Sequence, residues 1–114
     1  MSDSEKEAAA AGGEAREAMH SMLFNQLVVQ QSSLALILLG KAPHPETGKT
    51  TRDLDAARLF IEQLEMLEAK TRGNLARHEE TLLKQTLMTL RLAYVEAAEA
   101  APLPAPESKT APGN

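Results

Sequence analysis

Apolar residues recur along this chain at three- and four-residue steps in three separate stretches, and that spacing predicts three helices. The first pattern runs from about residue 17 to Leu39, with Leu23, Leu27, Leu34 and Leu38 sharing a stripe. Gly40 then supplies a stop, and Pro43 follows. The second runs from about Asp53 to Arg72, with Leu54, Ala57, Ile61, Leu64 and Leu67 in step. Asp53 is placed to cap it, Asp55 suits its N-terminal dipole, and Glu68 and Arg72 are spaced as an i,i+4 pair. The third runs from about Arg77 to Ala100, with Leu83, Leu87, Leu90, Tyr94 and Ala97 on one face and Glu80 and Lys84 as a second i,i+4 pair. No stretch alternates apolar and polar residues with β-branched or aromatic enrichment, so no sheet is expected.

The first helix departs from the other two. No charged residue occurs from Ala18 to Gly40. A stretch of that length reaches the roughly 20 residues of a membrane span. Its composition argues against one. His20, Ser21, Asn25, Gln26, Gln30, Gln31, Ser32 and Ser33 all lie inside it, and unpartnered amides are costly in lipid. Leu34, Leu36, Ile37, Leu38 and Leu39 point all around the helix axis, and one hairpin cannot cover every face. Apolar surface left over on so small a domain favours self-association. The expected assembly is a homo-oligomer, most simply a two-fold dimer. Its expected interface is Leu27, Gln30, Gln31, Leu34, Ile37 and Leu38, with the amides of Gln30 and Gln31 pairing across it.

Composition narrows the picture. The chain has 114 residues, no Trp and no Cys, so the core must be aliphatic and thiolate metal sites are excluded. The lack of cysteine suits a reducing compartment. Residues 1–18 carry five acidic and two basic side chains, a balance of −3, against nine basic and ten acidic in 19–100. No basic patch stands out, so nucleic acid is not an expected partner. An acidic start does not resemble a signal peptide, and the cytoplasm is the default location. The expected organisation is a disordered acidic tail over 1–18, a helical domain over 19–100 and a disordered Pro-rich tail over 101–114. That last tail holds Pro102, Pro104, Pro106 and Pro112.

Candidate chemistry is sparse. Gly48-Lys49-Thr50 invites a phosphate-loop reading, but the first glycine of that motif is missing, Pro43 stands in its place, and no strand precedes it. His20, His44 and His78 lie far apart and lack the spacing of a zinc site. Glu62, Glu65 and Glu68 share a helix side, which reads as a solvated face near Arg58 and Arg72. No catalytic, cofactor or metal residues are expected, and the chain reads as a non-enzyme.

Lys70-Thr71-Arg72-Gly73-Asn74-Leu75 interrupts the helical pattern. Gly73 suits a left-handed helix stop, and Lys70 and Arg72 complement the dipole of the second helix's last turn. So short a link makes helices two and three an antiparallel hairpin. The functional alternative is a small-anion corner formed by Lys70, Arg72, Asn74 and the free N–H groups of helix three.

Leu39-Gly40, Pro45-Glu46-Thr47-Gly48, Asp53-Leu54, Ala57-Arg58, Ile61, Leu64, the Lys70–Leu75 segment, Glu79, Leu90-Arg91 and Tyr94 together resemble the domain of unknown function 1844 family, from about Leu23 to Glu96. The resemblance implies a small all-helical bacterial protein and no assigned activity. Members often follow Asn-Leu with Thr-Pro and acidic residues, which looks like a capping box. Here Ala76 stands at the cap, where its side chain can accept nothing, while Glu79 keeps the third helical position. Asn74 is the expected substitute cap. The fold expected is thus all-α, a three-helix domain with tails. The function expected is self-association and contact with an unknown protein partner.

Overall fold

A computed structural model describes residues 3–106, with side chains from residue 12 onward. It contains three helices: α1 (Asp3–Leu38), α2 (Leu54–Lys70) and α3 (Arg77–Glu99). No strand occurs among the described residues. Each helix packs on the other two. Ser21 meets Glu79 near the start of α3 and Lys41 meets Glu96 near its end, so α1 and α3 run in the same direction. Arg58 meets Tyr94 and Glu65 meets Arg91, so partners along α2 and α3 come in reversed order.

The hairpin helices bury the faces their spacing predicts. Ala57, Ile61 and Leu64 of α2 are buried, as are Leu83, Leu87, Leu90 and Ala97 of α3. Asp53 caps α2, accepting from the Ala56 N–H at 3.1 Å. The α2 end is closed by Thr71, whose N–H and hydroxyl both donate to the Leu67 carbonyl, at 3.0 and 2.7 Å. Because α2 stops at Lys70, Arg72 lies outside the helix. The expected Glu68–Arg72 pair therefore loses its i,i+4 geometry and is not made. Gly73 takes φ +82°, the left-handed turn expected of it.

α1 differs from expectation in two ways. It begins at Asp3 rather than near residue 17, so the backbone over the predicted disordered acidic tail is helical and passes through Gly12 and Gly13. Alanine and glutamate favour that conformation locally. Packing does not supply it, since every side chain from Glu14 to His20 is exposed. The core stripe is also shifted by one residue. Val28, Ala35 and Leu39 are buried and Phe24 packs against them, whereas Leu23, Leu27 and Leu34 are 50%, 42% and 44% exposed. The small Ala35 lets α1 sit close to its neighbours, and the larger leucines then fall outside the contact.

The loop between α1 and α2 is pinned at several points. Gly40 (φ +76°) lets the Lys41 N–H reach back to the Leu36 carbonyl at 2.9 Å, and the Asp53 N–H donates to the Leu38 carbonyl at 2.8 Å. The start of the Pro-rich segment is held too. Arg52 donates its N–H to the Pro104 carbonyl (2.8 Å) and Nη1 to the Ala101 carbonyl (2.6 Å). Residues 101–106 of the Pro-rich segment make these contacts, while Pro112 and the rest of 107–114 lie outside the described residues.

Candidate functional site

Three places drew attention in the sequence, and packing separates them. The Gly48-Lys49-Thr50 loop is a closed turn. The His44 N–H donates to the Lys49 carbonyl at 2.8 Å, and the Gly48 N–H donates to the His44 carbonyl at 2.7 Å. The helix α1 precedes it, so no strand sets up a phosphate cradle. His44 Nδ1 accepts from the Glu46 N–H at 3.2 Å, while His20 and His78 are exposed on other elements. No cluster of metal-ligating side chains occurs among the described residues. Glu65, from the acidic face of α2, pairs with Arg91 at 2.8 Å.

The corner between α2 and α3 has a hollow of about 340 Å³. Arg72 and Lys84 line it, but so do Glu68 and Glu80, and Lys84 is already bound to Glu80 at 2.7 Å. Each raises or lowers the other in the expected sense: the Glu80 carboxyl is held below its ordinary range by the Lys84 hydrogen bond, and Lys84 is held above its own. Lys70 and Asn74 do not line the hollow. Asn74 does not cap α3 either, since its N–H donates to the Thr71 carbonyl and the cap position is Ala76. Chemically the corner is a balanced set of charges rather than a concentrated cationic pocket.

Glu79 has a role the sequence showed only in part. Its Oε1 accepts from the Ala76 N–H at 2.7 Å, which is one half of a capping box. Its Oε2 accepts from the Ser21 hydroxyl at 2.9 Å, which ties α3 to α1. Glu79 is buried, 8% exposed, and its carboxyl is held below the usual range, first by the Ala76 N–H and then by Ser21 and nearby His78. The Glu79 carboxylate therefore puts a negative charge at the head of α3, where it opposes a bound anion. Nothing in the local spacing could have paired Ser21 with a residue so distant in the chain.

The expected interface residues are divided by the fold. Leu27, Gln30 and Leu34 lie on the exposed side of α1. Ile37 is half-buried, and Leu38 packs against the buried Leu39, Ala57, Ala93 and Ala97. Gln31 turns inward, with its Oε1 buried and without a hydrogen bond; the Asn25 Oδ1 and Thr51 Oγ1 atoms share that condition. Beside the Leu27 face, Met19, Met22 and Val29 are about half exposed, which the sequence reading had not singled out. Met22 and Val29 border an open groove that runs along α1 to Ala76 and His78 at the head of α3. By length and composition, Gly12–Leu38 is also a stretch of 27 residues apolar enough to cross a membrane.

No curated protein and no solved structure matches the chain. A family profile does, over residues 21–96, which spans the bundle from the Ser21 contact to the Glu96 ion pair. The chain belongs to the family described as Domain of unknown function (DUF1844).

Proposed function

We propose that this chain is a self-associating protein-interaction module without catalysis of its own, and that the outward face of α1 is its contact surface. One observation carries the reading. Met19, Met22, Leu23, Leu27, Val29 and Leu34 are each 42–52% exposed on one helix. No charged residue interrupts that helix from Ala18 to Gly40. Covering these six side chains would contribute on the order of 1 kcal/mol each. A face this apolar on a small domain is characteristic of an interface rather than of free surface. Gln26 and Gln30 are interspersed on it, and an amide both donates and accepts, so each is complementary to its own copy across a two-fold axis.

A bilayer fits this surface less well. The opposite side of the same helix supplies Val28, Ala35 and Leu39 to the core, so lipid insertion would strip the bundle of those contacts. The interspersed amides would also lose their partners in lipid. The absence of cysteine supports a reducing, cytoplasmic setting.

Sedimentation equilibrium of the full chain tests the proposal. A dimer mass at micromolar concentration, reduced to a monomer mass by Leu27→Glu with Leu34→Glu, is the expected result. A monomer mass for the unaltered chain at that concentration sinks the proposal, and partition into neutral lipid vesicles instead would replace it with a membrane role.

A further inference from the structure

The loop between α1 and α2 holds residues 101–106 chiefly through one residue, Arg52. Its backbone N–H donates to the Pro104 carbonyl at 2.8 Å, and its Nη1 donates to the Ala101 carbonyl at 2.6 Å. Its Nε also reaches the Leu39 carbonyl at 3.5 Å, which ties the guanidinium to the end of α1. The two carbonyls that Arg52 reads in the segment are three residues apart. A polyproline II chain has three residues per turn, so carbonyls at that spacing face the same side. Pro102, Pro104 and Pro106 preset φ for that conformation and carry no N–H. A seat that only donates therefore strands no donor of those three residues.

One side chain adds selectivity. Leu103 lies against Gly40, where a Cβ would come within 2.8 Å of Leu103 Cδ1. The bare backbone of Gly40 is the room that the leucine uses. Leu103 is 37% exposed, so most of it is covered. Elsewhere the segment fills its seat loosely. A hollow of about 580 Å³, open to solvent, is lined by Arg52, Asp53, Leu54 and Ala97 on one side and by Leu103 and Ala105 on the other.

We infer that Gly40, Arg52 and the end of α3 form a seat for an extended peptide with an aliphatic side chain between two prolines. Residues 101–106 occupy it as a tethered ligand, and a like segment of another protein can take their place. The grip on main-chain carbonyls is one that any such segment can meet. The leucine over Gly40 sets which residue is preferred, and the unfilled hollow leaves room for larger side chains than Ala105. A chain that is already extended loses little freedom on binding, which is how proline-rich segments are recognised. The inference does not rest on self-association through α1.

A tethered segment acts at an effective concentration on the order of millimolar, so a free peptide competes only once the tethered one is loosened. Leu103→Ser in the full chain loosens it without altering a helix, and helical circular dichroism checks that the fold is kept. In amide NMR the Gly40 and Arg52 signals should then leave their parent positions. A free peptide with the sequence of residues 101–106, added at millimolar concentration, should return them in a saturable way. The same peptide with serine in place of its leucine should bind about tenfold more weakly, as expected for the loss of a covered leucine. Gly40 and Arg52 signals unmoved by Leu103→Ser would overturn the proposal. So would no response to millimolar peptide, or an equal response to the leucine-free one.

Discussion

α2 and α3 mix charged side chains among their exposed apolar ones, whereas α1 has no charged residue from Ala18 to its end at Leu38. In α2 and α3 the core-facing apolar side chains gather on one stripe of each helix, while Leu59, Met66, Met88, Leu92 and Val95 stand exposed on the other sides. Charged pairs then fill the flanks, as with Glu65–Arg91 at 2.8 Å and Glu80–Lys84 at 2.7 Å. In α1 the apolar residues go all the way round. Some of them build the core, through Val28 and Ala35, and the others face outward with nothing charged between them. The outward side chains of α1, from Met19 to Leu34, form the uncharged face proposed above as a contact surface.

Two leucines separate the inward and outward faces most clearly. Leu87 is 0% exposed on α3 and Leu27 is 42% exposed on α1. Leu87→Ala should destabilise the chain by about 2–5 kcal/mol in chemical denaturation, through lost burial and the cavity left behind. Leu27→Ala should leave the denaturation midpoint of the dilute chain nearly unchanged and weaken self-association instead. An equal loss from both at high dilution would show that the outward face of α1 already has a partner within the chain.

Next in size is Gly40, which ends α1. A Cβ there would sit 2.8 Å from Leu103 Cδ1 and 3.2 Å from the Thr51 carbonyl oxygen, at a left-handed φ of +76°. Gly40→Ala should cost about 1–3 kcal/mol. It should also release the 101–106 segment, seen as faster proteolysis after Ala100. A smaller cost without release would mean that the leucine merely steps aside.

Glu79 joins the two regions, so its removal tests whether they are stabilised together. Glu79→Gln should lower stability at neutral pH by about 1–2 kcal/mol, since hydrogen bonds to a charged group are weakened. The folded carboxyl titrates below its ordinary value, so its contribution is present above that ordinary value and is lost as pH falls through the lowered one. The gap between variant and parent should therefore close in acid. A gap independent of pH would show that Glu79 acts through shape rather than charge. Smallest is Ala76→Thr, which supplies the missing half of the capping box and should raise the midpoint by about 1 kcal/mol. A lower midpoint would mean that the threonine cannot reach the first-turn N–H.

Much of the hairpin was legible in the sequence because local rules decide it. Asp53 caps α2, Gly73 turns the corner, and both buried stripes follow helical spacing. α1 was legible only in outline. A helix that is apolar on every side carries no sign of which side faces inward. Its core stripe through Val28 and Ala35 is set by where α2 and α3 come to rest, and the leucines at 23, 27 and 34 gave a stronger periodic signal than the small Ala35. The interface set split for the same reason, with Leu27 and Leu34 outward and Gln31 inward. The Ser21–Glu79 and Arg52–Pro104 contacts join residues far apart in sequence, where periodicity has no reach. The α2–α3 corner kept its stop signal at Gly73, while α3 begins at Arg77, with the Glu79 carboxylate on the Ala76 N–H and no side-chain cap.

In the proposed function, α1 has one face for its own chain and one for another. Amide hydrogen exchange of the full chain, followed at a dilute and at a concentrated condition, reads both faces at once. Protection over residues 14–34 should rise with concentration while protection in α2 and α3 stays the same. Protection of α1 that is identical at both concentrations, with a monomer mass in each, would contradict it.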